Sequence, residues 1–318
     1  MMQRHSLPSW EAALKLSRLA VIASIVIFME CLAAQAQLKV ALTFDDLPAH
    51  GDIPPGLTRE EIARRILATL KEHHIAQVYG FINAGKLEKV PEDKQVLTMW
   101  RAAGYPLANH TYTHMDLGAN SADAFEANIA ANEPMLKQLM PDGGWRWLRY
   151  PYLREGDSPE KHEAVRAYLA REGYRVAQVT LDFADYAWNG PYARCLAKND
   201  TEALKWLEES YLATAKIDLD LGRKQSQILF NRDINYVLLL HIGGFETVML
   251  PRLLDLLQQD GFQIVSLEEA ESDPAYQLNP GPLTVWDGSL FDQLLDARKI
   301  QVSPPEPRPM EKLAALCQ

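Results

Sequence analysis

The segment Leu38–Asp46 reads LKVALTFDD, a short apolar run that ends in two adjacent carboxylates. Short apolar runs of this kind are typical of buried β-strands, so residues 38–44 predict a first strand. Asp45 and Asp46 then follow that strand directly, at its carboxyl end. In a parallel barrel the carboxyl ends of the strands form the face on which active sites are built. The segment therefore predicts a strand that delivers two acids to a functional face.

Six further strand-like runs follow, and amphipathic helical stretches separate most of them. Alternating strands and helices predict a parallel sheet with helices outside it. About seven such units favour an α/β fold of the distorted (β/α) barrel type, TIM-like and closed or nearly closed. The runs are Gln77–Ile82, Tyr105–Asn109, Trp145–Arg149, Tyr174–Leu181, Tyr236–His241 and Phe262–Val265.

The helical stretches carry recognisable start and stop signals. Thr58 to Glu61 form a capping box, and Ser158-Pro159 supplies an N-cap followed by proline at the first helical position. Glycine after a helical stretch is typical of its C-terminal end. The predicted helices run from Thr58 to His73, Glu92 to Ala103, Ser121 to Leu139, Ser158 to Gly173, Asp200 to about Ala215, and Thr247 to Asp260.

The N-terminus is typical of an export signal. Basic residues precede an apolar run over residues 19–34, and Ala34-Gln35-Ala36 is an A-x-A-like cleavage site. A membrane anchor is the alternative, but the run is short for a span and contains Glu30. We therefore expect residues 1–36 to be a cleaved signal peptide. The mature protein would be periplasmic or secreted and would have no stable membrane span.

The remaining chain divides into two parts. A catalytic domain is expected over residues 37–271, and a long insertion interrupts it at about 190–233. Residues 272–318 form a proline-rich C-terminal extension, which we expect to wrap the domain or to be partly disordered. Cys195 and Cys317 would remain after cleavage, and they either pair in an oxidising compartment or stay as free thiols.

Composition limits the classes of partner. The chain has 318 residues, of which 47% are hydrophobic and 23% charged, as in ordinary soluble globular proteins. Its formal net charge of −10 argues against nucleic acid, whose phosphates attract basic surfaces. The same charge argues against docking on anionic lipid. A neutral or cationic substrate fits better.

Polar residues recur at the carboxyl ends of five predicted strands, so five separate segments would deliver them to one face. Two histidines four residues apart lie close together if their segment is helical, although an isolated pair is more often a surface or capping pair. The strand-end residues are Asp45, Asp46, His110, His114, Arg149, Asp182, Asp185 and His241. We expect the other histidines of the mature chain to be solvated, with His50 the least certain because it follows Asp46; they are His50, His73, His74 and His162.

Two histidines and one aspartate suit a catalytic metal, because they leave coordination positions open for water and substrate. These ligand types suit zinc, cobalt, nickel and other divalent ions alike, so they do not identify the metal. Glycine-rich phosphate loops and a Gly-x-Ser-x-Gly nucleophile motif are absent from the sequence.

Five motifs in order resemble those of the polysaccharide deacetylases, carbohydrate esterase family 4, which carry the NodB-homology domain. The resemblance covers about residues 39–269. The fourth motif usually ends in tryptophan, whereas here Tyr186 stands at that place and Trp188 follows two residues later. The motifs are Thr43-Phe44-Asp45-Asp46, Asn109-His110-Thr111-Tyr112-Thr113-His114, Arg149-Tyr150-Pro151-Tyr152, Asp182-Phe183-Ala184-Asp185-Tyr186 and Leu239-Leu240-His241.

The resemblance implies a role for each motif. A divalent metal, often zinc, would be held by Asp46, His110 and His114, with Asp45 as general base and His241 as general acid. Other residues would orient these catalytic groups or contact the substrate. Arg149 would hold Asp45 ionised, Asp185 would orient His241, and the backbone N–H of Tyr152 would stabilise the oxyanion. Apart from the resemblance, four aromatic side chains either stack on sugar rings or serve simple packing, and they are Tyr152, Tyr186, Trp188 and Tyr192.

These expectations define one leading function and two alternatives. The leading one is a metal-dependent hydrolase that removes N-acetyl or O-acetyl groups from a glycan such as peptidoglycan, a chitin-like oligomer or xylan. One alternative keeps the fold but hydrolyses C–N bonds of small amides, for which the insertion at 190–233 would close the pocket. The other is a catalytically silent glycan-binding protein, because a fold alone does not guarantee its chemistry.

Overall fold

The fold is built around its first strand, β1 (Leu38–Leu47), in a computed structural model that describes residues 37–280, 288–303 and 306–318. Successive side chains of a strand point to opposite faces. Ala41, Thr43 and Asp45 therefore share the inner face of β1, and the alternate residues pack outward against helices. The expected signal peptide lies outside the described residues.

Within residues 37–280, 288–303 and 306–318, seven parallel strands form the sheet. They are β1, β2 (Tyr79–Ile82), β3 (Leu107–Asn109), β4 (Trp147–Leu148), β5 (Arg175–Val176), β6 (Tyr236–His241) and β7 (Phe262–Val265). Their order is β5-β4-β3-β2-β1-β6, and β7 pairs with the first half of β1. Beyond β5, Leu181 bridges to Leu238 of β6, so the two edges of the sheet meet. The predicted distorted (β/α) barrel with about seven parallel strands is confirmed.

Helices surround this barrel, and their starts agree with the capping signals in the sequence. Thr58 and Ser158 each accept a hydrogen bond from the backbone N–H three residues ahead. The helices are α1 (Arg59–Glu72), α2 (Lys94–Ala102), α3 (Ala122–Leu139), α4 (Pro159–Arg171), α5 (Asn189–Lys198), α6 (Thr201–Phe230), α7 (Glu246–Gln259), α8 (Leu267–Ala270), α9 (Leu290–Ala297) and α10 (Met310–Ala315). In the described ranges, none of them is long and apolar enough to span a membrane.

The insertion differs from its predicted helix. The helix was expected to end near Ala215, but α6 continues to Phe230 and α5 precedes it. The extra turns are stabilised by tertiary packing, because Gly222 lies so close to Leu181 that a Cβ there would approach Leu181 Cδ2 to 2.2 Å. The insertion therefore packs against the place where the barrel closes.

The C-terminal extension packs against the same region in its described parts. Arg308 forms an ion pair with Asp218 of α6 at 2.9 Å and also donates to the backbone oxygen of Asp182. A disulfide joins Cys195 of α5 to Cys317. The two cysteines are thus paired, and the extension is covalently tied to the insertion.

The barrel interior supports the site from below. Small and aromatic side chains fill it, among them Ala108, Val237 and Phe81. The guanidinium carbon of Arg149 lies 4.7 Å from the centre of the Phe81 ring. This contact marks the boundary between the apolar interior of the barrel and the buried charged residues. The charged residues therefore lie at the carboxyl ends of the strands.

Candidate active site

A cavity of about 450 Å³ opens at this end of the barrel. The structure brings the strand-end residues together around it, although they are far apart along the chain. Its polar and aromatic lining includes Asp45, Asp46, His50, His110, His114, Tyr152, Asp182, Tyr186 and His241. Arg149 and Asp185 do not line the cavity and lie behind the residues that do.

The segment from His110 to His114 is not helical, contrary to the condition under which the two histidines were expected to meet. Thr111 and His114 have φ angles of 60° and 57°, in the left-handed region that non-glycine residues seldom adopt. The irregular backbone still brings the two imidazole centres to 4.8 Å. A tight loop, rather than one helical turn, pairs these side chains.

Both imidazoles are available as neutral ligands. His110 Nδ1 donates to the backbone oxygen of Arg149 at 2.8 Å, which leaves Nε2 facing the cavity with its lone pair. Burial lowers the pKa of His110 to about 3 and that of His114 to about 4. Neutral imidazole is the form that binds metal ions.

The donor atoms of Asp46, His110 and His114 lie within 4.8 Å of one another. His114 Nε2 is 3.6 Å from Asp46 Oδ1, and two ligands of one tetrahedral zinc ion are about 3.4 Å apart. A second group, Asp46 with His50 and His241, is equally compact. There, however, His50 Nδ1 lies 2.7 Å from Asp46 Oδ2, which is a hydrogen bond and too short for two ligands of one ion. The first group has the spacing of ligands around one divalent ion, whereas in the second group His50 Nδ1 and Asp46 are already bonded to each other.

Asp46 is held at both carboxylate oxygens. His50 Nδ1 hydrogen-bonds to Oδ2, while Lys86 Nζ donates to Oδ1 at 3.0 Å. Lys86 Nζ also reaches the backbone oxygens of Asp46 and Ala49. Burial acts to raise the pKa of Asp46, but His50 and Lys86 hold it well below its usual value. The carboxylate is therefore ionised and fixed in orientation.

His50 and Lys86 were not identified as site residues from the sequence, and His50 was expected to be solvated. His50 lies only four residues after Asp46, so its proximity was the available signal. Lys86 follows β2, 40 residues beyond Asp46, and no sequence signal connects the two. A further correction concerns His162, which is buried and bonded through Nδ1 to the backbone oxygen of Glu155.

Asp45 and Arg149 form a buried pair. Arg149 Nη1 lies 3.2 and 3.3 Å from the two oxygens of Asp45, and its other nitrogens bond to Thr43 and to the backbone oxygen of Ala177. Arg149 was expected to keep Asp45 ionised. Its charge does act in that direction, but burial prevails and raises the pKa of Asp45. A raised pKa makes this carboxylate a stronger base than a free aspartate.

His241 lies opposite Asp45 in the β1–β6 register. Asp185 receives two hydrogen bonds of 2.7 Å from it, one from ring Nδ1 and one from the backbone N–H. Burial acts to lower the pKa of His241, but Asp185 and the two site aspartates raise it to about 9. The ring is therefore protonated at neutral pH, with Nε2 as its remaining donor.

Two of the four expected aromatic residues stand at the cavity. Tyr152 is 55% exposed and 4.5 Å from the His114 ring, and Tyr186 is 44% exposed and 5.2 Å from the His241 ring. Trp188 is fully buried, and its indole N–H donates to Ser210 of α6, so its placement in the substrate pocket was wrong. Tyr192 packs against Phe245 instead of lining the cavity.

Comparison with known proteins shows which proteins part of the chain is similar to. Residues 34–177 match the family model for polysaccharide deacetylase. The chain is 27% identical over 163 residues to a peptidoglycan-N-acetylglucosamine deacetylase of Bacillus cereus, which aligns 51% of this chain with 50% of that protein. It is 30% identical over 114 residues to a chitooligosaccharide deacetylase of Sinorhizobium fredii, covering 36% and 46%. The matched part of this chain is thus similar to polysaccharide deacetylases.

The chain spans about half the length of the relatives it matches. Among solved structures it is similar to the chitin deacetylase of the fungal pathogen Colletotrichum lindemuthianum, with a TM-score of 0.49 and 23% identity over 74% of this chain and 88% of the other. It is also similar to a family 4 carbohydrate esterase of Streptomyces lividans in complex with acetate, with a TM-score of 0.45 and 19% identity over 73% and 95%.

Proposed function

We propose that this protein is a metal-dependent hydrolase that removes acetyl groups from an acetylated glycan. One observation carries the proposal: Asp45 and His241 lie opposite each other on adjacent strands, beside the compact group of Asp46, His110 and His114. A base, an acid and a ligand set on one cavity are the parts that acyl hydrolysis by water requires. Deacetylation is also what the names of the two matched relatives state.

Asp45 is the proposed general base. Its carboxylate accepts a proton from the water that attacks the acyl carbonyl, and its raised pKa favours that transfer. Arg149 keeps the carboxylate aimed through two contacts of 3.2 and 3.3 Å. Arg149 is thus a positioning residue.

His241 is the proposed general acid. As the C–N or C–O bond of the tetrahedral intermediate breaks, His241 Nε2 donates a proton to the departing sugar nitrogen or oxygen. Its pKa of about 9 keeps that proton in place at neutral pH. Asp185 occupies Nδ1 and so directs Nε2 toward the cavity.

Asp46, His110 and His114 would hold the divalent ion, with zinc favoured and cobalt or nickel also suited to these ligands. A bound ion would lower the pKa of water and polarise the acyl carbonyl. The backbone N–H of Tyr152 is the proposed further donor to the oxyanion. Tyr152 and Tyr186 flank the cavity, where their exposed rings can stack on sugar rings.

N-acetylated glycans of the peptidoglycan or chitin-oligomer type are the proposed substrates, since the matched relatives are named for them. We also propose that the protein acts outside the cytoplasm, as a periplasmic or secreted enzyme. The disulfide between Cys195 and Cys317 supports this location, because such bonds persist in oxidising compartments.

The test is acetate release by purified protein from peptidoglycan, chitooligosaccharides and acetylated xylan, with metal content measured in parallel. Asp45→Asn and His241→Asn should each lower the rate by about 10²–10⁴-fold without changing the circular dichroism spectrum. Chelation should abolish activity, and added zinc should restore it. Full activity in metal-free protein would refute the mechanism, and ammonia release from small amides instead of acetate would favour the small-amide alternative.

A further inference from the structure

His50 lies outside the five motifs, yet its ring forms part of the cavity wall. The ring centre is 4.7 Å from that of His241 and 6.1 Å from that of Tyr186. The side chain is 21% exposed, so a ligand in the cavity can reach it. It therefore stands beside the proposed acid, at the point where the leaving group of the substrate would lie.

The contact with Asp46 decides which nitrogen of His50 carries hydrogen. A carboxylate oxygen only accepts, so the 2.7 Å contact between His50 Nδ1 and Asp46 Oδ2 places a hydrogen on Nδ1. In the neutral ring Nε2 then carries a lone pair and is an acceptor. Within the described ranges, Nε2 has no hydrogen-bond partner. The free acceptor suits a hydroxyl group.

The loop that carries His50 is fixed from several sides. Arg59, at the start of α1, donates to the backbone oxygen of His50 at 2.7 Å. Lys86 bonds to the backbone oxygen of Ala49. Two residues after His50, the backbone oxygen of Asp52 accepts from buried Asn189 of α5 at 3.0 Å. The backbone of this loop is therefore held by hydrogen bonds from three separate parts of the fold.

We propose that His50 has two contacts: its Nδ1–H fixes Asp46 as a metal ligand, and its Nε2 accepts a hydrogen bond from a hydroxyl of the acetylated sugar ring. This inference rests on the proposed function. It adds a specificity-determining residue, because a sugar without that hydroxyl would leave the Nε2 acceptor unpaired. A small amide without hydroxyl groups would gain nothing from this contact.

Two substitutions separate the contacts. Asparagine places an amide N–H where His50 Nδ1 lies but has no counterpart of Nε2, whereas alanine removes both. The metal-free full chain is titrated with zinc by calorimetry in the presence of a competing chelator, and KM and kcat are measured for acetate release from chitooligosaccharides. His74→Asn is the matched control, because His74 is exposed and has a φ of 56°, which asparagine tolerates.

His50→Ala should weaken zinc binding about 10–100-fold, the usual effect of losing a hydrogen bond to a metal ligand, and should raise KM. His50→Asn should restore zinc affinity to within about threefold of the wild type while KM stays about three- to tenfold raised. The His74 control should change neither value. Wild-type zinc affinity in His50→Ala would overturn the Asp46 contact, and a wild-type KM in His50→Asn would overturn the sugar contact.

Asp46→Asn distinguishes a failure of this inference from a failure of the proposed function. If Asp46→Asn binds zinc as the wild type does, the proposed metal site is wrong. If it loses zinc while both His50 variants match the wild type in zinc affinity and KM, only the His50 inference is wrong. Should the wild type release no acetate, the proposed function fails, and the zinc titrations still test the contact between His50 and Asp46.

Discussion

Replacing Asp185 by asparagine should move the pH dependence of catalysis. Asp185 is 3% exposed and accepts from His241 Nδ1 and from the backbone N–H at 2.7 Å each. Asparagine retains the size and one acceptor but removes the charge. Burial then acts on His241 with only the more distant aspartates opposing it, so its pKa should fall from about 9 toward the ordinary 6.5.

The magnitude follows from the fraction of His241 that carries its proton. At pH 8 a group with a pKa of 9 is mostly protonated, whereas one with a pKa of 6.5 is about 3% protonated. A general acid works only in its protonated form, so the variant should lose about 30-fold in kcat/KM at pH 8. At pH 6 both forms of the enzyme are mainly protonated, and the loss from this cause should be less than about twofold.

The assay is kcat/KM for acetate release measured from pH 5 to pH 10 with zinc-loaded wild type and Asp185→Asn. The alkaline limb should shift to lower pH in the variant, with most activity retained on the acid side. An unchanged alkaline limb would refute the role of Asp185 in holding the proton. An equal loss at every pH would show that Asp185 acts through structure alone.

Further variants test the supports of the site and of the fold. Arg149→Met leaves the buried Asp45 charge unpaired and should lower the free energy of unfolding by about 3–5 kcal/mol in urea denaturation. Tyr186→Ala should raise KM for chitooligosaccharides and leave the melting temperature nearly unchanged, whereas Trp188→Ala should cost about 3–5 kcal/mol of stability because its ring is fully buried. Cys195→Ser opens the disulfide and should lower stability by about 2–5 kcal/mol, a loss that reductant reproduces in the wild type.

Local patterns in the sequence were enough for the main elements of the fold. The apolar run of residues 38–44 and the two acids after it predicted β1 and the end of the barrel at which the acids lie. The strand β6 agrees with its predicted range Tyr236–His241. Thr58 and Ser158 act as the caps that their positions indicated. These features depend on residues close to one another in the sequence, so they can be predicted from the sequence alone.

Other parts of the site depended on contacts between distant segments. The segment after β3 is an irregular loop instead of a helical turn, and β1 and β2 together place Lys86 against Asp46. Tyr186 and Trp188 are two residues apart, yet one faces the cavity and the other lies beneath α6. Neither outcome could be predicted from residue type, because packing against the insertion decides which ring is covered.

The sequence alone thus determined the strand and helix order and which acids and histidines stand at strand ends, since hydrophobic periodicity and capping are local properties. Only the tertiary structure decided how Asp46 is held by His50 and Lys86, how Leu181 closes the barrel, and which aromatic rings reach the cavity. Those contacts join residues that chain order separates, and the free energy of packing and of burying charge selects among them.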